Sequence, residues 1–165
     1  MLKEFPDIDP LNPQASGRLL ASITSDERPE ENYHFLAVGM HHIIIASCEF
    51  KSFRENEPPE WFVNQLVLPR RGIPWYVDTI ENKFFKKPEE GGLSADEFKW
   101  TETVDGEKLQ VARSFGTVGY TLSTLSRRDE DGFALEFTFT DEFLFEHGMF
   151  DAFKRVADLV RQGEL

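Results

Sequence analysis

The sequence predicts an α+β protein built from two ββββα units, antiparallel four-stranded meanders each followed by an amphipathic helix. Three observations carry this expectation. Four strand-like runs precede a helical pattern, the same succession recurs to the C-terminus, and Pro88-Glu-Glu-Gly-Gly92 separates the two at about mid-chain. At 165 residues with 40% hydrophobic content and 16 Phe, the chain has the apolar area for one shared core.

The expected organisation is an extended arm over 1–16, a first unit over 17–87, a linker over 88–96 and a second unit over 97–165, folded as one compact domain. The arm is read from Pro6, Pro10 and Pro13, which suit neither helix nor ladder and point to a tail or an edge cover. Strands are expected near Arg18–Thr24, Tyr33–Val38, His42–Phe53 and Phe62–Leu68. The polar, proline-containing stretch Ser25–Asn32 reads as a solvated loop, as does Arg54–Glu60. Gly39 permits a tight reversal, though the residues also allow one strand from Tyr33 to Phe53.

A helix is predicted from Pro74 to Lys87, with Ile73, Val77, Ile80 and Phe84 on one face and Pro88 as its stop. In the second half, strands are expected near Phe98–Val104, Lys108–Phe115, Val118–Ser126 and Phe133–Thr140. Asp105-Gly106 is a two-residue hairpin signal, because both positions of such a turn need positive φ. Asp129–Gly132 supplies a later reversal. Along the last strand Phe133, Leu135, Phe137 and Phe139 alternate with Ala134, Glu136, Thr138 and Thr140, which gives one buried and one wet face. The final helix, about Asp141 to Gln162, has Asp141 as its expected cap, and Gly148 weakens its first turns. Each meander needs a helix to cover its apolar face; the patterns leave open whether helices meet between sheets or sheet edges meet.

The formal charge is −12, with the acidic surplus concentrated after Pro88, and the one locally basic stretch runs from Arg70 to Lys87. Such a balance repels phosphate backbones unless cations are gathered on one face. The single cysteine, Cys48, excludes an internal disulfide and a four-thiolate zinc site, and its apolar strand suits a buried, unreactive thiol. No apolar run approaches the ~20 residues that span a bilayer, and Met1-Leu-Lys-Glu-Phe-Pro lacks a signal-peptide plan, so a cytoplasmic location is expected.

Catalytic motifs are lacking. There is no glycine-rich phosphate loop, nucleophile elbow or His-Glu-x-x-His helix, and adjacent His41 and His42 on a strand point apart, so the expectation is a non-enzymatic protein without cofactor or metal.

The element order, with Leu66-Val-Leu-Pro-Arg-Arg-Gly-Ile-Pro-Trp-Tyr-Val-Asp-Thr-Ile80 joining strand to helix, resembles the Whirly and Pur-alpha type of single-stranded nucleic-acid-binding fold. Thr103–Leu109 and Tyr120–Ser126 are similar to the strands that open a second Pur-type repeat. The resemblance implies single-stranded DNA or RNA bound across a sheet face, with aromatic rings stacking bases and cations meeting phosphates. The residues that offer such pairs are Lys51 with Phe53, and Arg113 with Phe115 and Tyr120; Arg54, Arg70 and Arg71 would add charge. The alternative is an acidic protein-interaction module (an inhibitor, immunity-like protein or chaperone) that meets a basic protein through Glu102, Asp105, Glu107, Asp129, Glu130 and Asp131. Unpaired sheet edges would also permit self-association.

Overall fold

A computed structural model describes residues 2–24 and 31–165 of the chain. It contains two separate four-stranded antiparallel sheets, ordered β1-β2-β3-β4 and β5-β6-β7-β8, so both meanders exist. The strands are β1 Arg18–Thr24, β2 Glu31–Val38, β3 His42–Lys51, β4 Glu60–Pro69, β5 Lys99–Val104, β6 Glu107–Ser114, β7 Gly119–Arg128 and β8 Ala134–Thr140. Of the loop predicted over residues 25–32, residues 25–30 lie outside the described residues, and Glu31 and Asn32 belong to β2 instead, paired with β3.

Turn chemistry explains the reversals. Gly39 adopts φ +54°, which breaks the long apolar stretch into β2 and β3 rather than one strand. Asp105 and Gly106 have φ of 48° and 84°, the pair of positive values that a two-residue hairpin requires. In the β7–β8 turn the Asp129 carboxylate accepts from the backbone N–H groups of Asp131 and Phe133.

The helices differ from the expectation in detail. Helix α1 covers Gly72–Thr79 and passes into a π-helical turn, Ile80–Phe84, so Lys86 and Lys87 lie beyond it and Pro88 opens a short 3-10 turn instead of ending a long helix. The second helix is broken in two. Helix α2, Asp141–Phe145, is capped by the Thr140 hydroxyl, which accepts from Phe143 N–H, while Asp141 sits inside the first turn. Gly148 at φ +87° separates it from α3, Met149–Arg161.

Both modes of packing that the patterns left open are used. Helices α1 and α3 pack on each other, and β4 and β8, the last strand of each sheet, lie side by side. The helices also bridge the units: α1 follows β4 yet packs on β5 and β6, and α3 follows the second sheet yet reaches β1. Phe153 of α3 meets Phe35 of β2 edge-on at 5.0 Å, and the buried Tyr76 hydroxyl of α1 donates to the Ser123 carbonyl of β7. One core therefore takes side chains from both sheets and both helices.

The two sheets are not equivalent. The outer face of the second is wet and polar, as the alternation in β8 predicted, with cross-strand bonds Thr101–Gln110, Thr121–Thr138 and Ser123–Glu136. The first sheet is buried on both faces. Its outer face carries Leu36, Val38, Ile44, Ala46, Cys48 and Val67, and the N-terminal arm lies over it with Ile8 and Phe5. Gln65 of β4 pins the arm by accepting from Ile8 N–H at 3.2 Å and donating to the Pro6 carbonyl at 3.1 Å. The arm is thus a face cover.

Candidate functional site

Beside β4 runs a groove of about 980 Å³, walled by the arm on one side and by the end of β7, the β7–β8 turn and β8 on the other. Both strands are the last of their sheets, so each has a free side with backbone groups not used in its own ladder. Phe5, Val63, Val67, Leu135 and Phe137 give the groove apolar walls. Glu4, Asp7, Asp129, Glu130, Asp131 and Glu136 give it acidic ones. The turn chemistry fixes part of this charge, because Asp129 is spent on two backbone N–H groups and thereby holds Glu130 and Asp131 at the exposed tip.

Two arginines line the same groove, and only one adds exposed charge. Arg128 is exposed. Arg127 is 7% exposed and is neutralised by Glu107, itself 2% exposed, through an Nε–Oε1 bond of 2.6 Å. His42 Nε2 lies 3.0 Å from Glu107 Oε2 and 3.3 Å from Arg127 Nη2. A carboxylate only accepts and a guanidinium only donates, so the bond to Glu107 requires the proton on Nε2 and a bond from Arg127 requires Nε2 without it. Arg127 Nη1 also donates to the Lys3 carbonyl at 2.7 Å, and the Phe5 ring lies against His42. This buried cluster ties β3, β6, β7 and the arm together under the groove.

The sequence-predicted site residues fall in three separate places. Lys51, Phe53 and Arg54 lie at one end of the first sheet. There Lys51 sits 4.6 Å from the Phe53 ring centroid and pairs with Glu49 at 2.7 Å, while Arg54 stands beside Glu57. Arg70 and Arg71 follow β4 at the opposite end, and ten strand residues put ~30 Å between the two groups. Arg71 is bonded to Asp105 through two nitrogens, and Arg70 donates to the Gly39 carbonyl.

Arg113, Phe115 and Tyr120 form the third group, on the second sheet. Arg113 makes a two-pronged pair with Asp141, at 2.5 and 2.7 Å, and stacks over Tyr120. Burial raises the Tyr120 hydroxyl pKa, and the ring is 5% exposed. Phe115 is exposed and lies near Phe98. These groups share the parity of buried Leu109 and Val111, so they belong to the margin of the core face and not to the wet one.

The acidic residues proposed for a protein partner also divide. Glu102 accepts from the Trp75 indole, Asp105 from Arg71, and Glu107 is buried, whereas Asp129, Glu130 and Asp131 line the groove. Sequence reasoning missed His42 and Arg127. Glu107 carried a readable signal, since it shares the strand face of Leu109 and Val111.

No family model matches the chain, and no curated protein is detectably similar to it. Among the described residues no helix is long and apolar enough to cross a membrane, and no group of three or more His, Cys, Asp or Glu is placed to hold a metal ion.

Proposed function

We propose that this is a non-enzymatic, cytoplasmic binding protein whose acidic groove beside β4 and β8 receives a basic segment of another protein. One observation carries the reading: six carboxylate residues line an apolar-walled groove in which Arg127, one of its two arginines, is buried against Glu107. Such a surface attracts lysine and arginine side chains while its apolar walls take the aliphatic stems between them. The groove runs along β4 and β8 and suits an extended segment held by its side chains, since the two strands already lie side by side and leave no room for an added strand between them. The chain's −12 charge speeds the approach of a basic partner and repels acidic ones.

A second reading, single-stranded nucleic acid, is supported by the exposed corner of Lys51, Phe53 and Arg54 and by the element order that resembles the Whirly and Pur-alpha type. It has less to rest on, because Arg71 and Arg113 are paired with carboxylates and Tyr120 is buried.

One experiment separates them. A labelled peptide of alternating lysine and valine and a labelled oligothymidine are titrated at low salt. The acidic-groove reading expects the peptide to bind, the oligothymidine not to bind, and Glu130→Lys with Asp131→Lys to weaken the peptide about tenfold. Oligothymidine binding without peptide binding would replace it with the second reading.

A further inference from the structure

At the far end of the first sheet lies a second cleft, of about 580 Å³, with the opposite electrostatic character. Its volume is within the range of small-molecule sites. We propose that this cleft binds a small organic phosphate, an inference independent of the acidic groove.

The cations are built in by the chain. Arg70 is anchored to the β2–β3 hairpin, since its backbone N–H donates to the His41 carbonyl at 2.9 Å and its Nη2 to the Gly39 carbonyl at 3.0 Å. These two bonds fix the guanidinium in place; its Nε is buried without a hydrogen-bond partner among the described residues, so the donors it turns to the cleft are those of its terminal nitrogens. Arg71 is largely exposed and faces Asp105, and His41 lies within electrostatic reach of the same carboxylate. The Arg71 guanidinium holds the Asp105 carboxyl below its usual range, so Asp105 is ionised at neutral pH.

Two guanidiniums, Arg70 and Arg71, face one carboxylate side chain, Asp105, in this cleft, which leaves a positive balance among its charged side chains. A phosphate monoester fits this balance. Guanidinium groups bind its oxygens in pairs, and its second charge competes with Asp105 for Arg71. Met40, Pro69 and Val160 line the cleft and give an apolar surface for the organic part. The net charge of the chain opposes long-range capture, so binding depends on these contacts and not on steering.

The test uses the whole protein with phenyl phosphate and inorganic phosphate in separate calorimetric titrations. Phenyl phosphate is expected to bind about tenfold more tightly than inorganic phosphate, because the ring gains apolar contact. Arg71→Gln should weaken it about fivefold or more with unchanged thermal stability, since this exposed pair contributes little to folding. Asp105→Asn should strengthen it about threefold by releasing Arg71, a change of sign that a purely structural role for the pair would not produce. Absence of phenyl phosphate binding at millimolar concentration, equal affinity for the two phosphates, or indifference to both substitutions would each overturn the assignment.

Discussion

Glu107 illustrates how a single residue can be indispensable to a fold without being a site. It is a carboxylate at 2% exposure, paired with Arg127 and in hydrogen-bond contact with His42, and removal of its charge leaves a buried guanidinium uncompensated. Glu107→Gln is therefore expected to destabilise the protein by about 3 kcal/mol in urea titration. Replacing Glu107 and Arg127 together with leucine and methionine should cost less than Glu107→Gln alone, because no unpaired charge then remains inside. Cys48 gives a pH prediction. Burial pushes its thiol up to about 11. A raised value in the native state means that stability is intact below the unfolded thiol's ordinary value and declines as pH rises from there toward the native one. The alkaline decline between those values should be shallower in Cys48→Ala. In the native protein near neutral pH the thiol should not react with Ellman's reagent until urea unfolds the chain; rapid native labelling would contradict its burial.

Among the elements, the N-terminal arm behaves as a fifth piece packed with the four strands of the first sheet. Ile8 is 2% exposed on a face that is otherwise apolar, and Gln65 holds the backbone beside it. Ile8→Ala should lower stability by about 2 kcal/mol and, by loosening the arm, raise the binding of a hydrophobic dye. An unchanged midpoint would mean that the arm is not docked in solution. This role was not legible in the sequence, because three prolines and scattered acids describe an extended segment without saying what lies beneath it. The strands were legible for a physical reason: β8 and β6 alternate cleanly, and Asp105-Gly106 allows little other than a tight turn. Arg127 was not. The β7–β8 register shifts between Thr124 and Arg128, so strand parity counted from Leu122 no longer tells which way Arg127 faces. The broken second helix was half-legible at Gly148, and its true cap, Thr140, lies one residue before the one expected.

At the scale of the molecule, two meanders share one core because each helix crosses to the other's sheet. An apolar stripe shows that a helix will be covered, but not by which neighbour, so this exchange and the side-by-side placement of β4 and β8 could not be read from periodicity. That placement is what creates the acidic groove, by bringing the β7–β8 turn beside β4 and the arm. It also leaves Lys51 and Arg70 at opposite ends of the first sheet, so the predicted cations do not form one strip. The measurement that tests the groove most directly is a backbone amide chemical-shift map recorded while the alternating lysine–valine peptide is added. The largest changes are expected on residues 63–67, 129–131 and 135–137, with little change at 51–54. Changes confined to residues 51–54, or spread evenly over the acidic surface, would contradict it.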